Sequence, residues 1–231
     1  MKAWLEGHQF DLEALARFFP EGGTRVVRQG DIYYLTSPEI DSPPDGETCH
    51  DVAPAVLERL NGIARTLKPN FEPVKLAGAY QEADEEPVRF VTVASAALRI
   101  EAGLVAVVTG GASAPAPPPP GPALLNLSKM HAEVAETLAL LGKPEPLNWI
   151  ELYKNFEVIR DSLKPTPLDR SGLATKDEIS AFTGSANRPD VSGADARHAR
   201  MSGPPPKRQM TIGQAREFIG QLARAWMESL K

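Results

Sequence analysis

The sequence predicts an α+β protein: a small antiparallel sheet with two helices, then a proline-rich linker and an all-α helical bundle. Three observations predict it. Short runs rich in β-branched and aromatic residues occur before residue 110. After residue 122 the apolar residues recur at intervals of three and four, the spacing of one helix face. Between them lies Gly110-Gly111-Ala112-Ser113-Ala114-Pro115-Ala116-Pro117-Pro118-Pro119-Pro120-Gly121-Pro122. Proline has no backbone N–H to give a ladder or a helix, so this stretch reads as an extended polyproline-II tether. The expected organisation is a unit at 1–109, a linker at 110–122 and a helical unit at 123–231, each unit closing its own apolar interior.

In the first unit, Asp11 is placed to cap a short helix carrying Leu12, Leu15, Phe18 and Phe19, stopped by Pro20 and Gly22-Gly23. Thr24–Arg28 and Ile32–Thr36 flank Gln29-Gly30-Asp31 as a tight hairpin, with one core ring and one surface ring in Tyr33-Tyr34. A polar loop follows from Pro38 to Glu47. Asp51 and Pro54 open a longer helix whose Val56, Leu60, Ile63 and Leu67 share a face, ended by Pro69. Strands are expected over Val74–Gln81, Val88–Glu101 and Leu104–Thr109. Adjacent strands with short connections favour an antiparallel sheet covered by the two helices.

In the second unit, Leu127, Met130, Val134, Leu138 and Leu141 predict one helix ending at Gly142, with His131 at the edge of its apolar side. Three capping-box spacings each precede an amphipathic run. Asn148 with Glu151 opens the helix of Trp149, Tyr153, Phe156, Ile159 and Leu163. Thr175 with Glu178 opens that of Ile179 and Phe182, ending near Gly184. Thr211 with Gln214 opens that of Ala215, Ile219, Leu222 and Trp226.

Composition excludes several classes of function. The net charge of −5 argues against a protein that coats nucleic acid or anionic membrane, although residues 1–122 hold 17 acids against 10 bases while the remainder hold 13 against 15. Cys49 is the single cysteine, so no disulfide or thiolate metal cage is expected. The N-terminus lacks the apolar core of a signal peptide and no apolar run approaches the ~20 residues of a membrane span, which makes the cytoplasm the expected location. No P-loop, dinucleotide fingerprint, zinc helix, nucleophile elbow or calcium loop occurs. No metal site and no cofactor are expected. Glu82, Asp84, Glu85 and Glu86 read as a solvated connection. Cys49-His50-Asp51 reads as the entry to a helix, because sequence neighbours point apart rather than pairing thiol with imidazole.

The stretch richest in chemistry runs from Thr183 to Arg200. A helical turn over Gly193–Met201 would put Asp195 and His198 on one face, where a carboxylate raises the basicity of an imidazole. Arg188, Arg197 and Arg200 offer fixed charge suited to phosphate. Lys207 and Arg208, in the loop Gly203-Pro204-Pro205-Pro206-Lys207-Arg208, offer further contacts to nucleic acid or a partner. The run from Ser185-Ala186-Asn187-Arg188-Pro189 through Asp195-Ala196-Arg197-His198 to a last helix with Trp226 resembles a family of uncharacterised bacterial proteins. Its order also resembles HEPN domains, helical bundles that often act as metal-independent ribonucleases. That resemblance implies His198 as acid or base, Arg197 or Arg200 as phosphate stabiliser, Asp195 as orienting carboxylate, and a dimer that completes the site. Arg197 directly precedes His198, which departs from the family's spaced arginine–histidine pair.

Two main readings follow, beside a third, ligand sensing by the first unit, that has only the generic α+β fold behind it. The first is a non-catalytic interaction or regulatory module that meets a protein partner, or a second copy of itself, through the helical half. The alternative is a HEPN-like ribonuclease or RNA-binding protein using Asp195, Arg197 and His198.

Overall fold

The N-terminal segment Lys2–Glu6 is strand β1, although its sequence shows no alternation. It lies inside a four-stranded sheet, where Ala3, Trp4 and Leu5 are all buried, so both faces are covered and no polar face marks it as a strand. The computed structural model describes residues 1–82, 117–200, 204 and 206–230. The strands expected over Val88–Glu101 and Leu104–Thr109, the acidic residues Asp84, Glu85 and Glu86, and linker residues 110–116 lie outside the described residues.

The sheet order is β2-β3-β1-β4, with β2 at Arg25–Gln29, β3 at Ile32–Thr36 and β4 at Lys75–Gln81, every neighbour antiparallel. The hairpin turns at Gly30, whose φ of +64° glycine adopts without a Cβ penalty. The register between β1 and β4 shifts between Ala3 and Leu5, opposite Gly78 at φ +74°, which is a bulge in β4. Tyr33 is the core ring of the hairpin, while Tyr34 meets Trp4 edge-on at 5.3 Å on the other face. The architecture is α+β.

Helix α1, Gln9–Phe18, is capped by His8, whose Nδ1 accepts from the Phe10 N–H, rather than by Asp11. Asp11 lies fully buried within the first turn and pairs with Lys68 at 3.1 Å. A single turn, α2 at Pro38–Asp41, occupies the start of the expected loop. Helix α3 runs over Cys49–Leu67 and carries buried residues around most of its circumference. Such a helix sits in an interior rather than on a surface. Asn61 fastens it to the chain before β4, donating to the Val74 carbonyl and accepting from the Val74 N–H.

The C-terminal half supplies the other side of α3. Pro120-Gly121-Pro122 do not extend the tether: they form the first turn of α4, Pro120–Met130. First-turn N–H groups have no intrahelical acceptor, so proline costs nothing there. Gly121 lies so close to the Phe18 carbonyl and the Phe19 ring that a Cβ would overlap both. The helix expected from Leu127 to Leu141 is two helices, α4 and α5 at Ala132–Leu141. They meet at His131, which takes an extended conformation, ends one ladder with its N–H and starts the next with its carbonyl. Met130, expected in the core, is consequently 71% exposed. The three capping boxes form as expected and open α6 at Trp149–Ser162, α7 at Lys176–Asn187 and, after the four-residue turn α8 at Pro189–Ser192, α9 at Ile212–Ser229.

The expectation of two separately closed interiors meets a different packing among the described residues. The buried apolar side chains form one cluster, from Leu5, Leu15 and Tyr33 through Val56, Leu60 and Ile63 to Leu138, Phe156, Ile219 and Trp226. Helix α3 packs against α1, α2 and β4 and more extensively against α4, α5 and α9. A Cβ at Gly62 of α3 would overlap the Leu138 carbonyl, and one at Gly142 would overlap that of Glu58. Arg65 closes this contact, donating to the carbonyls of Leu141 at 2.5 Å, Lys143 at 3.0 Å and Glu145 at 3.2 Å, and so capping the C-terminus of α5.

Gly62→Ala and Gly142→Ala are therefore expected to destabilise the chain by about 1–3 kcal/mol or more, as overpacking does. Gly220→Ala in α9, whose nearest neighbour would lie at 3.5 Å, is expected to cost nothing comparable, since alanine favours a helix by ~1 kcal/mol. Denaturant midpoints of the three variants check this, and a single unfolding transition is expected for the native chain.

Two capping carboxylates set an acid limit. Asp51 and Glu178 each accept from the hydroxyl and the backbone N–H of Thr48 and Thr175, which hold both below the usual carboxylate range. Their contribution is complete above the unfolded value of about 4 and is lost as pH falls through the lower folded value. The variant Asp51→Asn with Glu178→Gln is expected to lose less melting temperature than the native chain between pH 5 and pH 2.

Candidate functional site

The helical turn expected over Gly193–Met201 is only a 3-10 turn at Gly193–Asp195, after which Ala196 is extended. Glycine at φ +63° ends the preceding turn, and one short turn cannot carry an i, i+3 pair as far as His198. Asp195 and His198 are both exposed, and no described hydrogen bond joins them.

The arginines have other partners. Arg188 is buried and forms a bidentate pair with Asp190, Nε to Oδ1 at 2.8 Å and Nη2 to Oδ2 at 3.0 Å. The pair raises the guanidinium pKa and lowers that of the carboxyl. Arg197 lies over the Tyr153 ring, 4.5 Å from its centroid, and donates to the Tyr153 hydroxyl and to Glu157 of α6. Its backbone N–H donates to the Ala186 carbonyl at 2.9 Å. Ser185, fully buried, accepts from the Met210 N–H. The Ser185-Ala186 pair thus holds the middle and the far end of the connection between α7 and α9. Arg200, Lys207 and Arg208 are exposed, and the charge of Arg208 helps to keep Glu178 ionised.

Cys49, His50 and Asp51 form the first turn of α3. Asp51 is engaged in the capping box and His50 meets the Tyr80 ring edge-on at 4.1 Å. Among the described residues no group of histidines, cysteines and carboxylates could hold a metal ion, and no helix is long and apolar enough to cross a membrane.

A larger feature went unnoticed in the sequence. A groove of about 580 Å³ opens where the C-terminus of α3, the chain before β4, the chain after α5 and the first half of α9 converge. Its described lining carries three cations, Arg65, Lys75 and Arg216, against one acid, Glu72. Phe71, Leu141 and Leu147 supply buried apolar surface. Gly213 and Gly220 lie at i−3 and i+4 from Arg216 and add no side chain to the α9 wall on either side of it. Arg216 donates Nε to the Leu147 carbonyl at 2.8 Å, and its terminal nitrogens have no acceptor among the described residues. Burial, and then the charge of Arg216, pull the Arg65 guanidinium down to about 10. These residues lie far apart in sequence, and each is an ordinary arginine or glycine in its own segment.

Comparison with protein families, with curated proteins and with solved structures finds no match for this chain.

The contact of Arg197 with Tyr153 is worth about 1 kcal/mol at such an exposed site. Arg197→Ala is expected to lower the melting temperature by about 4 °C or less, yet to speed trypsin cleavage after Arg200 several-fold. Unchanged cleavage would mean that the contact does not hold this segment.

Proposed function

We propose that the protein is a non-catalytic interaction or regulatory module of the cytoplasm that recognises a partner, or a second copy of itself, through its helical half. The observation that carries this reading is the engagement of Arg188 and Arg197. The fixed cations that a phosphate-cleaving centre would aim at its substrate are instead bound to Asp190, Tyr153 and Glu157. A general acid or base also works best with a carboxylate to orient it, and Asp195 makes no described bond to His198. The exposed cations Arg200, Lys207 and Arg208 then serve contact with an acidic surface rather than chemistry.

The RNA-cleaving reading gives the sharpest test. Full-length protein and the His198→Ala variant are incubated with single-stranded and hairpin RNA in EDTA, and cleavage and retention are measured. Equal, background-level cleavage and no retention are expected. Cleavage that disappears with His198→Ala would overturn the proposal in favour of the ribonuclease, and retention without cleavage would replace it with an RNA-binding role.

A further inference from the structure

We propose that the groove between α3 and α9 binds a small amphiphilic anion, a molecule with an apolar body and a single carboxylate or phosphate head, with Arg216 receiving the head. This goes beyond the reading above, since it involves none of the residues from 188 to 208, and it gives that module a ligand input.

The volume of about 580 Å³ falls within the range of small-molecule sites, which favour concave, partly apolar clefts between packed units. The charge of the lining then selects the ligand. Three cations against one acid line the groove in a chain whose net charge is −5, while Glu145 and Glu151, outside that lining, also act on Arg65. Two of those cations, Arg65 and Arg216, line the same groove, and after burial the charge of Arg216 is what lowers the pKa of Arg65 most. An anion bound beside both offsets that repulsion.

The two arginines have different parts. Arg65 is held by three backbone carbonyls and contributes charge from a fixed position. Arg216 is exposed and, among the described residues, is tied through Nε alone, so the guanidinium plane is oriented while its terminal nitrogens have no described acceptor. Two parallel N–H donors match the two oxygens of a carboxylate or phosphate. Exposed Lys75 adds a third charge from the start of β4. Gly213, exposed, adds no side chain to the α9 wall, and Phe71 and Leu147 supply apolar surface for the body.

Titration calorimetry of the full chain with 3-phenylpropanoate, phenyl phosphate and neutral 3-phenyl-1-propanol tests this. Saturable one-to-one binding of at least one anion at millimolar concentration or below is expected, with the alcohol at least tenfold weaker. Which anion binds tighter identifies the head group. Arg216→Gln is expected to weaken the anion at least tenfold, and Arg216→Lys to recover part of the loss. Circular dichroism checks that the Arg216 variants, which lose or alter the bond to the Leu147 carbonyl, keep the fold. No saturable binding of either anion, equal binding of the alcohol, or undiminished binding by Arg216→Gln would each overturn the proposal. The alcohol comparison uses only the native chain and decides the matter even if a variant fails to fold.

Discussion

Helices α3 and α5 touch backbone to backbone, because Gly62 faces the carbonyl of Leu138 and Gly142 faces that of Glu58. No other residue type permits such an approach, and the rest of the architecture follows from it. Once the axes are that close, Arg65 reaches past the end of α5 and takes the carbonyls that the helix leaves unpaired. A guanidinium buried without acceptors would oppose folding strongly, so those carbonyls are as necessary to Arg65 as it is to them. Gly121 repeats the device on the other side, setting α4 against the end of α1. Helix α3 thereby has the sheet side and the bundle side as neighbours at once, which is why it is buried almost all round.

What was legible in the sequence was local. The capping boxes at Asn148, Thr175 and Thr211 were readable because the side chain and the N–H that it satisfies lie three residues apart. The hairpin around Gly30 was readable for the same reason. Strand β1 was not, since a strand covered on both faces has no alternation to show, and three buried residues in a row suggest nothing by themselves. The break at His131 was hidden by an apolar rhythm that continues through it; the spacing of Leu127 and Val134 records that both face the core, not that one axis carries them. Gly62 illustrates the limit best. Within its helix it looks like a loss of propensity, and only the carbonyl of a residue 76 positions later explains it.

The candidate site divides along the same line. The shared face expected for Asp195 and His198 depended on a helical turn, and the turn observed ends at Asp195. The partners that Arg197 found, Tyr153 and Glu157, lie more than 40 positions before it or at that distance. Ser185 and Ala186, noticed in the sequence for their neighbours, anchor the backbone of a long connection. Residue types thus indicated where polar chemistry was concentrated, while tertiary contacts decided that much of it serves the fold.

The groove is a consequence of the joint rather than an addition to it. Pinning Arg65 to the end of α5 fixes one cation at the floor of a cleft, and the prolines around it, Pro69, Pro73, Pro144 and Pro146, hold the adjoining chain in conformations that cannot fold inward as helices. Helix α9 closes the third side with glycine at positions 213 and 220, the first adding no side chain to the wall and the second lying against the Arg65 backbone. The walls of that cleft come from both halves of the chain. A ligand held there stabilises the arrangement of one half on the other by mass action, and therefore senses any change that moves α9 relative to α3. The same close contact that makes the sheet and the bundle a single interior thus also gives the molecule a place where a small anion can act on both.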